Sequence, residues 1–200
     1  MQLESVSAII LAAGESKRMG HPKALMRFGK QTFLQTVISN VQQAGVESIL
    51  VVLGHAKESI IPSLRNWPVE IVINENYRTG QFSSFQTALK KLKPDCAGTL
   101  LVLVDQPQIG SEVIRKVLSA FQRLPEKIII PSYQNRRGHP PLIPQSLFQE
   151  IVQAPPDWNA SALIADHAEI VHEVEVHDES ILWNINTLED LKIVNAQLNL

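Results

Sequence analysis

Short apolar runs alternate with segments of helical period, and this alternation constrains the fold more than any other feature of the chain. "SAIIL" (7–11), "SILVVL" (48–53), "VEIVI" (69–73) and "TLLVLV" (99–104) have the length and β-branched content of strands. Between them, "TFLQTVISNVQQAG" sets Phe33, Val37, Val41 and Ala44 on one helical face, with Gly45 placed to end it. A helical stretch is expected up to about Arg65. "FSSFQTALKKL" (82–92) and "SEVIRKVLSAFQRL" (111–124) repeat the pattern. "KIIIP", "PLI" and "EIVHEVEV" are later strand candidates, and "TLEDLKIVNAQL" closes the chain with a capping box from Thr187 to Asp190. A β-α-β-α order implies a mostly parallel sheet covered by helices on both faces. "TLLVLV", apolar throughout, belongs near the middle. The expected fold is a single three-layer α/β/α domain over residues 1–200. In open sheets of this kind ligands sit beyond the carboxyl ends of the strands. Three of those ends are polar: "AAGESKRMG", "NENYRTGQFSS" and "DQPQ". They are expected to converge.

Composition narrows the function. A net charge of -2 lacks the basic excess of a general nucleic-acid binder. The single cysteine, Cys96, excludes an internal disulfide and a cysteine metal cluster. It lies in "KPDCAG", which reads as a turn. The N-terminal apolar stretch is short and has no basic flank, so neither a signal peptide nor a membrane span is expected, and a cytoplasmic setting fits. Asp157, Asp166 and most histidines show no metal-cluster spacing.

The first loop, "LAAGESKRMGHPK" (11–23), carries the chemistry. Small residues at Ala12, Ala13 and Gly14 let a ligand approach the backbone, and successive amides there can form an anion-binding nest. Arg18 and Lys23 add charge, the first as a planar fork and the second as a point. The set suits a polyphosphate; the same residues would also make a solvated basic loop. Neither common phosphate motif fits. Gly14 and Gly20 are separated by five residues and followed by His21-Pro22, unlike a P-loop, and no G-x-G-x-x-G is present. Asp105, at the end of a central strand, points toward the same crevice, where one carboxylate beside phosphates suits magnesium; it can equally cap the turn that follows.

This loop closely resembles the signature L-A-A-G-x-S-x-R-M-G-x-x-K of the MobA-like nucleotidyltransferases, the family of molybdenum cofactor cytidylyltransferase. "GQFSS" (80–84), "LVDQP" (103–107), "RRGHPPLIP" (136–144) and "NINTLEDL" (184–191) are similar to further anchors of that family, in order. The resemblance implies a Rossmann-like nucleotide-diphospho-sugar transferase fold, with residues 1–107 binding the nucleotide and 108–200 the acceptor. It implies transfer of a nucleoside monophosphate from a triphosphate to a phosphorylated acceptor, with Mg²⁺ as cofactor and pyrophosphate released. Arg18, Lys23 and Asp105 would be catalytic. Leu11, Ala12, Ala13, Gly14, Lys23, Gly80, Ser83 and Ser84 would bind the nucleotide. Arg137, Gly138 and His139, with Arg136 nearby, would face the acceptor. Asp105 and Asn186 would hold the metal, Asn184 less directly. Asn184, Asn186 and Leu188 depart from the D-x-D-T-P-E-D pattern of many relatives, which removes charge from the second ligand. In the relatives L-A-A-G accompanies cytidine, and the methyl of Ala13 would crowd a purine, so CTP is favoured. Molybdopterin is the favoured acceptor, with transient contact to a molybdoenzyme. A sugar or alcohol phosphate is the alternative within the fold. A noncatalytic nucleotide sensor or cofactor-insertion chaperone is the alternative outside it. Neither nucleic acid nor membrane is an expected partner. Arg65, Arg78, Lys90, Lys91 and Lys93 read as solvated, and Trp67, Trp158 and Trp183 as core or loop anchors.

Overall fold

In the computed structural model, which describes residues 5–155 and 158–198, the apolar runs form one continuous sheet. The elements follow in order: β1 (Ser5–Leu11), the small hairpin β2 (Arg27–Phe28) and β3 (Gln31–Thr32), α1 (Phe33–Gln43), β4 (Ser48–Leu53), α2 (Lys57–Ile60), β5 (Glu70–Ile73), α3 (Gln81–Leu89), β6 (Cys96–Leu103) and α4 (Ser111–Arg123). The second half supplies β7 (Ile128–Tyr133), β8 (Arg136–Arg137), β9 (Leu142–Pro144), α5 (Phe148–Gln153), α6 (Ala160–Asp166), β10 (Val171–Glu175) and α7 (Leu188–Leu198). The strand order is β10-β7-β9-β6-β1-β4-β5, with β8 paired to β7. β6, β1, β4 and β5 run parallel to one another, whereas β9 is antiparallel to both β6 and β7.

Burial explains the layers. β6 lies inside the sheet and is apolar on both faces because helices cover both. Ala8, Ile10, Leu100 and Val102 face one core with Phe33, Ile38 and Phe121. Ile9, Leu11, Leu50 and Leu101 face the other with Phe82, Phe85 and Leu147. α1 begins at a complete capping box, in which Thr32 Oγ1 accepts from Gln35 N and the Gln35 side chain accepts from Thr32 N.

Two expectations are corrected, and one unread stretch acquires structure. Cys96 is not in a turn; it opens β6 and is buried, because Ser5 of β1 pairs with it. The helix expected up to Arg65 is one α-helical turn, α2, followed by a 3₁₀ turn at Ile61–Leu64, where Pro62 lacks the amide that a longer α-helix needs. α5 and α6, each too short for a clear periodic signal, fill a stretch in which no helix is legible.

Register positions the site. Leu11 is level with Leu103 on one side and Val52 on the other, and Leu53 is level with Ile73. The loops after β1, β5 and β6 therefore leave the sheet at nearly the same height. No helix among the described residues is long and apolar enough to cross a membrane.

Candidate active site

The loop after β1 is built to turn back on itself. Ser16 adopts φ 52° and Gly20 φ 70°, both left-handed. Ser16 O accepts from Met19 N at 2.9 Å, and Ser16 Oγ accepts from Lys23 N at 3.0 Å. These bonds bend the chain so that Lys23 returns under the end of β6. Among the described residues, the amides of Gly14, Glu15 and Ser16 donate to no protein acceptor. Three backbone donors without a protein partner at the head of a cleft can accept an anion.

The cations and oxygens meet there. Lys23 Nζ lies 2.9 Å from Asp105 Oδ2 and 2.8 Å from Asn186 Oδ1. Arg18 Nη2 donates to the same Asn186 oxygen at 3.0 Å. The Lys23 and Asp105 side chains are only 13% and 22% exposed, so their attraction is little screened by water. Asp105 and Asn186 thus aim hard oxygen donors at one cationic point. Two such ligands, with phosphate oxygens and water to complete the shell, fit magnesium. Among the described residues no cluster of three or more His, Cys, Asp or Glu side chains offers another metal site.

The cleft has a volume of about 380 Å³, the size of a small-molecule site. Leu11, Ala12, Ala13, Gly14, Arg18, Lys23, Ser84, Asp105 and Asn186 all line it. A protein-family model for the MobA-like NTP transferase domain matches residues 8–171, from β1 to the start of β10. The chain belongs to this family.

Its similarity to other proteins and to solved structures runs nearly end to end. It is 26% identical to the molybdenum cofactor cytidylyltransferase of Escherichia coli, over 94% of each chain. It is also 26% identical to nicotine blue oxidoreductase of Paenarthrobacter nicotinovorans, over 94% of this chain and 96% of that one. Rv0371c of Mycobacterium tuberculosis superposes with a TM-score of 0.86 and 25% identity, covering 97% of this chain and 98% of the other.

Some residues of the expected site lie elsewhere. Gly80 does not line the main cleft; at φ 126° it makes the glycine-only bend that starts α3, and it borders a neighbouring hollow. Ser83 donates to Gly80 O at 2.7 Å and accepts from Asn74, so its hydroxyl serves the backbone. Asn184 accepts from Gln106 Nε2 at 3.0 Å and is outside the cleft. Arg136 and Arg137 form the exposed strand β8, where Arg137 pairs with Glu173 at 2.8 Å. Gly138 is packed so closely that a Cβ would meet Ile181 O at 2.6 Å. His139 does not line the cleft. Burial holds its imidazole below the usual range, with Asp105 pulling the other way. Asp157 lies outside the described residues.

Other residues matter without having been legible. Asn74 is buried at the end of β5, where its Nδ2 donates to both Ser83 Oγ and Ser84 Oγ and so fixes the first turn of α3. Its place as the first residue of the polar run that follows "VEIVI" is the signal for it. Gln106 Nε2 donates to Trp183 O, and Gln108 Nε2 to Ser180 O and Trp183 O. Ile185 N donates to Asp105 O at 3.0 Å. These bonds hold the segment that presents Asn186. Glu15 bridges Lys17 at 2.6 Å and Arg78 at 3.2 Å, which keeps its carboxyl below the usual range, Lys17 contributing most. Arg78, expected only on a solvated face, is exposed but ties the first loop to the third while lying over the Tyr77 ring.

Proposed function

We propose that the protein transfers a nucleoside monophosphate, CMP in first place, from a nucleoside triphosphate to a phosphorylated acceptor, with Mg²⁺ required and pyrophosphate released. The convergence of Arg18, Lys23, Asp105 and Asn186 beside three unused amides carries this reading. Phosphoryl-type transfer needs alignment and charge neutralisation more than covalent help. An acceptor phosphate oxygen forms a bond to the α-phosphorus while the bond to the leaving pyrophosphate breaks. The acceptor phosphate is already ionised, so no general base is needed. The free amides of Gly14, Glu15 and Ser16 seat the β- and γ-phosphates. Arg18 meets the charge that leaves with pyrophosphate, and Lys23 brings its ammonium to the α-phosphate. Asp105 and Asn186 would hold the magnesium ion, which when bound supplies further charge neutralisation and a fixed template for the phosphates.

CTP is favoured because the methyl of Ala13 lines the cleft and crowds a purine more than a pyrimidine. The cytidylyltransferase relative supports the same base, and molybdopterin as acceptor. Delivery of the product to a molybdoenzyme follows from that reading. A cytoplasmic setting goes with it.

The test is pyrophosphate release from each of the four NTPs with Mg²⁺ and either molybdopterin or a panel of sugar and alcohol phosphates. Release with CTP and molybdopterin is expected. A preference for GTP sinks the Ala13 argument, and release only with a sugar or alcohol phosphate replaces the acceptor. Binding without release under every condition favours a sensor or insertion chaperone. The oxidoreductase relative supplies a second reading. Reduction of nicotine blue by an added hydride donor, with no pyrophosphate formed from any NTP, would support it instead.

A further inference from the structure

The methyl of Ala13 separates a pyrimidine from a purine by bulk, but cytosine and uracil have nearly the same outline. They differ in the sense of their hydrogen bonds. Cytosine presents a lone pair at ring nitrogen N3 and an amino group beside it, whereas uracil presents an N–H at N3 and a carbonyl beside it. Telling them apart takes a group that can only donate or only accept. A hydroxyl does both unless its neighbours fix its direction.

The end of β5 fixes one such hydroxyl. Asn74 is 3% exposed, and its backbone N donates to Leu53 O at 2.8 Å. Its side-chain oxygen accepts from Asn76 N at 3.0 Å, which sets the orientation of the amide. The amide nitrogen therefore faces α3, where it donates to Ser83 Oγ at 2.9 Å and to Ser84 Oγ at 3.0 Å. From there the two serines differ. Ser83 gives its hydrogen to Gly80 O at 2.7 Å. Ser84 gives its hydrogen to no acceptor among the described residues, although it is only 2% exposed. A buried donor left without a partner costs free energy. Ser84 lines the main cleft and Ser83 does not, so the unspent hydrogen has the cleft as its outlet.

The position suits a base. Ala13 shares a core face with Phe82 and Phe85, which bracket Ser84 in α3. Ala24 and Val104, the chain neighbours of Lys23 and Asp105, belong to the opposite face. The cleft thus has a cationic end at Lys23 and a second end at Ala13 and Ser84.

We propose that Asn74 is a positioning residue that makes the Ser84 hydroxyl a one-way donor, and that this donor selects cytosine over uracil by meeting the lone pair at N3. The inference rests on the nucleotidyltransferase reading above and adds to it the choice between the two pyrimidines. Against uracil the same hydrogen meets an N–H, and two donors face to face in a buried site leave each other unpaired.

The experiment titrates the full chain with Mg²⁺ and the α,β-methylene analogues of CTP, UTP and GTP, by calorimetry at neutral pH. Wild type is expected to bind the CTP analogue about tenfold or more tightly than the UTP analogue. Asn74→Asp keeps the shape of the side chain but replaces the donor with a carboxylate. That carboxylate takes the Ser84 hydrogen and leaves a lone pair toward the cleft, so the preference is expected to reverse in favour of the UTP analogue. Ser84→Ala is expected to abolish the preference, and it decides the matter alone if Asn74→Asp does not fold. Equal binding of the two pyrimidines by wild type overturns the proposal and leaves the nucleotidyltransferase reading standing. So does an Asn74→Asp chain that weakens both analogues alike and keeps the wild-type ratio, the mark of a merely structural role. Tighter binding of the GTP analogue than of either pyrimidine also overturns it. If wild type binds none of the analogues, the nucleotidyltransferase reading falls, and this inference with it.

Discussion

At Lys23 one ammonium faces both Asp105 Oδ2 and Asn186 Oδ1, so a single truncation tests the charge at the centre of the cleft. Lys23→Met is expected to lower turnover by about 10²–10³, the scale for losing one placed donor to developing charge. A circular dichroism spectrum matching wild type would assign that loss to the site rather than to folding. His139 makes a different kind of prediction. Its imidazole is held below its usual 6.5 by burial, so the unfolded chain binds a proton there before the folded chain does. Stability from this group is full above about pH 6.5 and declines as pH falls from there through the folded value. Urea midpoints measured from pH 7.5 down to 5 should fall for wild type and fall less for His139→Gln. Arg18, Lys23 and Asp105 were legible because the loop and the strand end that carry them are local patterns. Asn186 came only through the resemblance. Gln106 was not legible, since its partners Trp183 and Asn184 lie far along the chain, and Asn74 and Glu15 were not, since the roles of both depend on how the loops around them fold.

The capping box at α7 shows an element acting on the site. Asp190 Oδ2 accepts from the amides of Thr187 and Asn186, both at 2.8 Å, and Asp190 N donates to Thr187 Oγ1 at 3.1 Å. The bond from Asn186 N is the largest cause holding the Asp190 carboxyl below its usual range. The cap that starts the helix therefore also fixes the residue that presents its oxygen to Lys23. Thr187→Ala should cost about 1 kcal/mol of stability by urea titration. It should also weaken binding of a CTP analogue with Mg²⁺; unchanged binding would mean that Asn186 is held by the Gln106 and Gln108 clamp alone. This box was legible in "NTLED". The hairpin β2–β3 and the helices α5 and α6 were not, because elements of two to seven residues take their shape from what they pack against.

Across the whole molecule, the site exists because the sheet brings distant loops to one edge. Gly98 in β6 shows how tightly that sheet is covered. A Cβ there would meet Phe121 Cζ at 2.5 Å and Leu142 Cδ2 at 2.9 Å. Gly98→Ala should cost about 1–3 kcal/mol through overpacking, read as a lower Tm. A ligand that binds across the loops after β1 and β6 should also stabilise the whole fold. A CTP analogue with Mg²⁺ at one hundred times its Kd is expected to add about 2.7 kcal/mol, and to add far less to Lys23→Met at the same concentration. The alternation of strand and helix, the parallel core of the sheet and the loop signature were determined by the sequence alone, since periodicity and motif spacing are local properties. The antiparallel insertion of β9, the burial of Cys96, the seating of Asn186 beside Lys23 and that of Asn74 against Ser84 were decided only by the tertiary structure. Each depends on which side chains from separate elements come to share one space, and no short stretch of sequence encodes that.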